Sequence, residues 1–292
     1  MISLRSLIAA SCLLGLQATP RAPNIHGKVP VLEYHLVGDH ESMYSITRAH
    51  FQHDLELLYA HGYRPITVSQ LVDKQIDVPP GMSPVVFTFD DASPEQFRYI
   101  EKPDGTLEID STSAIGIWLK FHAQHPDWPN RATFCLLSGA RAGHNFFGYT
   151  GVQGQKTSWR FKKVKFLADQ GFELCDHTLW HAQLNKFSDA VVQEQIARNQ
   201  LAIDSAVPGY HVRTFALPQG LWPKNRELAH EGTWKDVHYQ FDAVLEVAGP
   251  PAPSPYDSAF HPLRMPRIQA FGTAVDRMVA DLDRTGDRFI AK

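Results

Sequence analysis

Pro84-Val85-Val86-Phe87-Thr88-Phe89-Asp90-Asp91 is a β-branched and aromatic run that closes on two adjacent carboxylates. The run has the composition of a short buried strand. Two acids at the end of such a strand repel each other and lose solvation, so they persist most easily where a cation neutralises one of them. Far downstream, His177-Thr178-Leu179-Trp180-His181 places two imidazoles four residues apart, a spacing that puts both on one face of a helical turn and lets them share a metal. One carboxylate and two imidazoles form a catalytic-zinc type of donor set with positions left open, and the remaining carboxylate is free to act as a base. Taken singly, Asp-Asp reads as a turn or helix cap and His-x-x-x-His as chance in a His-rich chain. Both follow apolar runs, Val85 to Phe89 and Gly171 to Cys175, so both fit the same ends of neighbouring strands, where α/β folds place their chemistry.

The chain has 292 residues, 43% of them hydrophobic and 20% charged, enough for one large domain with a sizeable core. Formal net charge is -3 and the sequence pI is about 6.6, and there is no basic block or interleaved aromatic stripe, which sets nucleic acid aside as a partner. No dedicated protein partner is evident. Met1 to Ala18 reads as a secretory leader: Arg5, an apolar core from Leu7 to Leu16, then small residues. With cleavage after Ala18 or near Ala22, residues 1–22 are leader and 23–292 the domain, placed outside the cell, in the periplasm or at the envelope. Anchoring through Cys12 as a lipoprotein is the less favoured alternative. Cys135 and Cys175 lie in apolar runs and read as two buried thiols rather than a disulfide.

Val29 to His35 is the first strand, and on residue type alone His35 is a strand-end histidine satisfied by backbone. Thr47 caps a helix through Phe51, Leu55 and Leu58 that Gly62 ends. Tyr63 to Thr67 is a strand and Ser69 to Lys74 a short helix. The stretch from Asp91 through Gly105 is irregular, and Asp110 or Ser111 caps a helix through Ile115, Trp118 and Leu119. Arg131 to Leu137 is a strand. Gly139 to Gln155, with His144, Phe146, Phe147 and Tyr149, either lines a sugar groove or covers the barrel mouth. Lys156 to Gln170 is an amphipathic helix, Phe172 to Cys175 a strand, Ser188 the cap of a long helix, and Val212 to Leu217 a strand. A helix centred on Glu227, a strand from Phe241 to Val247 and a closing helix from Gly272 to Arg284 complete the chain. Strand then helix, repeated about seven times, predicts a single α/β domain, and a closed parallel barrel over an open doubly wound sheet.

Thr88-Phe89-Asp90-Asp91, His177-Thr178-Leu179-Trp180-His181 and Phe215-Ala216-Leu217-Pro218-Gln219-Gly220 together resemble the polysaccharide deacetylase family, carbohydrate esterase family 4, with its nodulation-type deacetylase domain. The likeness covers nearly all of the chain after residue 28. Pro30-Val31-Leu32-Glu33-Tyr34-His35 is similar to the branch of exopolysaccharide poly-N-acetylglucosamine deacetylases, in which an early-strand histidine is the catalytic acid. The sequence departs from the family pattern at Ala92 (members usually have Gly), Ala216 (often Arg), Gln219 (commonly Tyr) and the inserted stretch from Ser93 to Asp110.

The resemblance implies a distorted barrel of the (β/α)7 type. It also implies Asp91, His177 and His181 as ligands of a divalent metal, Zn2+ before Co2+ or Ni2+, with Asp90 as general base. His35 becomes the acid that protonates the leaving amine, and a backbone N–H near Gln219, in the Pro218-Gln219-Gly220 motif, becomes the oxyanion donor. Trp222 is either an apolar wall for the acetyl methyl or core. Arg213 and Arg267 are candidates to orient Asp90, but a surface or core-edge salt bridge is the favoured reading of each. The activity implied is N-deacetylation of an N-acetylated glycan. The alternatives are a carbohydrate O-acetyl esterase such as an acetyl-xylan esterase, and a catalytically silent glycan-binding protein.

Overall fold

The structure, a computed structural model, describes residues 21–139, 145–148 and 152–292. Eight parallel strands carry it: β1 (Val31–Tyr34), β2 (Tyr63–Ile66), β3 (Ser83–Phe89), β4 (Thr133–Leu136), β5 (Glu173–Asp176), β6 (Thr214–Ala216), β7 (Ala243–Leu245) and β8 (Ile268–Gln269). Their order is β7-β6-β5-β4-β3-β1-β8, and β2 pairs with the first half of the same edge of β3 whose second half pairs with β4. Met265 bridges to Leu245 of β7 just before β8 pairs with β1. The segment 265–269 therefore touches both ends of the sheet, which curls into the distorted barrel expected from the sequence.

Parallel neighbours need crossovers, and helices α1 (Arg48–Ala60), α2 (Val68–Val72), α3 (Ala114–Gln124), α4 (Arg160–Asp169) and α5 (Asp189–Ala206) supply them, with α6 (Ala274–Thr285) following β8. Thr47 starts α1 by accepting from the His50 N–H at 3.1 Å. Ser113, not Asp110 or Ser111, caps α3 through the Gly116 N–H. The helix expected around Glu227 is a short 3-10 turn (Arg226–Ala229) followed by a hairpin of Glu231–Trp234 with Val237–Gln240. The inserted stretch is likewise a hairpin, Tyr99–Glu101 with Leu107–Ile109, rather than irregular chain.

Strand alternation sorts side chains onto two faces. Leu32, Tyr34, Phe87, Phe89, Phe134, Leu174 and Phe215 lie under the helices in one large apolar cluster, each burial stabilising by roughly 1.5–3 kcal/mol. Val31, Val86, Cys135, Cys175, Ala216 and Leu245 form a second cluster on the other face, inside the curl. Below it the buried Glu173 carboxylate accepts from the hydroxyls of Ser69, Thr133 and Thr214. Above it the interior turns polar again, and the chemistry sits there. Cys135 and Cys175 are register partners on β4 and β5 with Cα atoms 4.2 Å apart, and they form a disulfide. The expectation of two thiols fails because parallel pairing puts both on the inner face at one level.

Phe146 and Phe147 are fully buried, so they pack rather than line a groove; His144 and Tyr149 lie outside the described residues, as do residues 1–20, which hold Cys12 and most of the expected leader. Among the described residues no helix is long and apolar enough to cross a membrane.

Candidate active site at the barrel mouth

β3 delivers Thr88 and Asp90 to the inner face. Beyond it the chain bends sharply, with Asp91 at φ 77° and Ala92 at φ 49°, left-handed conformations that cost a non-glycine residue about 1–3 kcal/mol. Ala92 stands where the resembled family usually has Gly, and the conformation accounts for that preference. The bend turns Asp91 back over the mouth beside Asp90.

The histidine pair leaves β5, two strands from β3 with β4 between them, so the two motifs share the C-terminal ends of the sheet without being on neighbouring strands. Nor is the pair on a helical turn. Thr178 and His181 adopt positive φ of 68° and 62° in an extended loop, which the buried Asp176 carboxylate fastens by accepting the Thr178 N–H at 2.7 Å. The rings still meet, with centroids 5.0 Å apart. His177 is buried and its Nδ1 is 2.8 Å from the Ala216 carbonyl. Only a protonated Nδ1 can donate there, which leaves the Nε2 lone pair facing the mouth. His177 Nε2 and His181 Nε2 lie 3.4 and 3.6 Å from Asp91 Oδ1.

Asp90 is held from behind. Arg267, just before β8 and without solvent exposure, places Nη1 and Nη2 each 2.8 Å from one Asp90 oxygen, and Nη2 also lies 3.1 Å from Glu33 Oε1. Burial is the largest single influence on Asp90 and works to raise its pKa, but the charge and hydrogen bonds of Arg267 together with His177 outweigh it, and the carboxyl is held below its usual range. Burial likewise opposes charge on Arg267 and is overcome by Asp90 and Glu33. Burial dominates at Glu33 and raises its pKa, with Arg267 opposing. Arg213 is the surface pair expected, bound to Asp73 and Asp242; Arg267 is not, and it takes the orienting position in the interior. Burial is the largest single influence on Asp91 and opposes its charge; with the imidazoles protonated, His177, His35 and His181 together outweigh it and hold the carboxyl well below the usual carboxylate range.

His35 follows β1 on the same inner face as Glu33, its Nε2 3.8 Å from Glu33 Oε1 and its ring against Tyr44. One cavity is lined by His35, Asp90, Asp91, His177, His181 and Gln219, together with Glu33, Tyr44 and Val247. Gln219 sits at φ 55° and its side-chain oxygen accepts from Gln183. Pro218 is buried and Trp222 donates its indole N–H to Glu246 at 3.0 Å; neither lines this cavity. Glu33 and Tyr44 escaped the sequence reading. For Glu33 a signal existed, since an acid two residues before His35 in a buried strand shares its face.

The donor set fits a divalent metal. Asp91, His177 and His181 each offer one ligand atom within 4.8 Å of the others, and Asp91 Oδ1 and His177 Nε2 are buried without a hydrogen-bond partner. Buried polar atoms are otherwise nearly always paired.

Residues 129–232 match the polysaccharide deacetylase family profile, a span that holds His177, His181 and Gln219 and stops short of the acidic pair. That span is what is similar to the polysaccharide deacetylase family. Several solved structures share this fold. The Streptococcus pyogenes deacetylase PplD, solved in complex with acetate, has a TM-score of 0.61 at 17% identity over 89% of this chain and 98% of its own. IcaB from Ammonifex degensii has 0.59 at 17% identity over 87% and 96%. BC0361, a polysaccharide deacetylase from Bacillus cereus, has 0.60 at 19% identity over 88% and 69%. Comparison with curated protein sequences finds no match.

Proposed function

We propose that this protein is an exported, metal-dependent hydrolase that cleaves the acetamide groups of an N-acetylated glycan to free amine and acetate. The observation that supports it most is the Asp91, His177 and His181 cluster, open to a cavity. That cavity also holds an acid pinned by Arg267 and, within 4.8 Å of it, a histidine. A bound zinc-class ion would supply a Lewis acid for the acetyl oxygen and an acidified water, and imidazole-plus-carboxylate donors accept Zn2+, Co2+ or Ni2+.

Asp90, kept anionic by Arg267, takes the proton from the attacking water as the new C–O bond forms. The backbone N–H at Gln219 steadies the negative charge on the acetyl oxygen. His35 gives a proton to the amide nitrogen as the C–N bond breaks, so that acetic acid and a neutral sugar amine leave; the proton on Asp90 then restores His35, and the acid ionises to acetate in solution. Tyr44, against the His35 ring and exposed at the rim, offers a sugar ring a flat apolar face. The early-strand position of the acid favours poly-N-acetylglucosamine as the polymer.

The test is acetate release from poly-N-acetylglucosamine, chitooligosaccharides, peptidoglycan and acetylated xylan by zinc-loaded protein, wild type beside His35→Ala. Release from an N-acetyl polymer that falls steeply in the variant supports the reading. Release only from xylan, indifferent to His35, replaces it with an O-acetyl esterase, because an alkoxide leaves with less help from an acid than an amine does. Glycan binding without release from any of the four replaces it with a silent binding protein.

A further inference from the structure

We propose a second divalent-cation site, of the zinc class, on the outer helical layer, built from His50 and Asp54 of α1 and Asp276 of α6. Each contributes one ligand atom within 4.8 Å of the other two. His50 and Asp54 stand one helical turn apart, and His50 Nε2 lies 3.7 Å from Asp54 Oδ1. That is too long for a hydrogen bond, yet within reach of two bonds of about 2.0–2.2 Å to one ion.

Three observations point these atoms at a ligand rather than at one another. Asp54 has no solvent exposure; its Oδ2 accepts the Tyr34 hydroxyl at 2.9 Å, while its Oδ1 is buried with no hydrogen-bond partner. An unpaired carboxylate oxygen in that setting is costly unless a cation or a proton meets it. Next, His50 Nδ1 lies 3.0 Å from Glu41 Oε1. With the proton on Nδ1 donated to that carboxylate, the Nε2 lone pair faces Asp54, the second-layer arrangement that fixes metal-binding histidines. Finally, Asp276 is oriented by His53, whose Nε2 is 3.0 Å from its Oδ1. Two carboxylates and a neutral imidazole balance a 2+ charge. His50 also lines a surface cavity with Glu41 and Thr273, which gives an ion a route in. An ion there would tie the first helix to the last, behind Tyr34, whose successor His35 faces the barrel mouth.

The experiment is a Zn2+ titration of the full chain by calorimetry, repeated on a His177→Ala/His181→Ala double variant that isolates this site from the one at the mouth. The expected result is two equivalents bound by wild type and one by the double variant, with that last equivalent lost on adding Asp276→Ala. Asp276 is part-exposed on α6, so this substitution leaves the core intact; Asp54→Asn is the more direct but riskier variant. Zinc uptake by the double variant that Asp276→Ala and His50→Ala both leave unchanged would overturn the proposal, as would no uptake at all by that variant. A single equivalent in wild type, kept by the double variant and lost with Asp276→Ala, would support this site while counting against the metal reading of the mouth.

Discussion

Arg267 meets Asp90 fork to fork: two nitrogens, two oxygens, both contacts at 2.8 Å, with neither side chain open to solvent. The Arg expected beside Phe215 in the family pattern is Ala216 here, and the guanidinium instead enters from the far end of the chain. Arg267→Ala leaves Asp90 and Glu33 as unpaired buried acids and is expected to cost about 3–5 kcal/mol of stability. Arg267→Lys keeps the charge but not the fork. It is expected to stay folded and to lose activity by about 10²-fold or more, the range typical of general acid–base contributions. Chemical unfolding and acetate release, measured side by side, check both.

The Cys135–Cys175 disulfide closes a chain separation of 40 residues. A loop of that size constrains the unfolded chain by roughly 4 kcal/mol. Dithiothreitol, or Cys135→Ala with Cys175→Ala, is therefore expected to lower the thermal midpoint by many degrees in calorimetry while leaving the mouth residues in place.

Lys163 of α4 is fully buried, with Nζ 2.7 Å from the Phe147 carbonyl and 2.6 Å from Gln155 Oε1. Burial pushes its ammonium down from 10.5 to about 7. Below pH 7 the amine is charged in both the folded and unfolded chain, and burying that charge weakens the fold. Between about pH 7 and 10.5 the folded chain holds the amine neutral while the unfolded chain binds a proton, so stability rises with pH across that window. The slope from this residue is at most about 1.4 kcal/mol per pH unit. Urea unfolding at pH 7, 8 and 9 should show the rise, and Lys163→Met should flatten it.

The strands were legible because their apolar, β-branched runs stop at turn residues, and the α/β order followed from their alternation with helical patterns. The acidic pair and the two histidines could be read as a metal set from chemistry alone. What escaped was whatever depends on three-dimensional register. Arg267 precedes a strand of two residues and reaches an acid 177 positions away, with nothing local to mark it. The disulfide required knowing that β4 and β5 pair in register. The His177 and His181 spacing suggested a helical turn, and the positive φ at Thr178 and His181 has no signature in residues that are not glycine. The hairpin after Arg226–Ala229 replaced an expected helix, since short polar stretches carry little periodicity.

The most direct measurement is acetate release from poly-N-acetylglucosamine by zinc-loaded wild type beside Asp90→Asn, with bound zinc quantified in both. The carboxamide of that variant cannot take the proton from water, while Asp91, His177 and His181 remain to hold the ion. The account predicts equal zinc and a rate lowered by about 10²–10⁴-fold. Undiminished acetate release by the zinc-bound variant would contradict it.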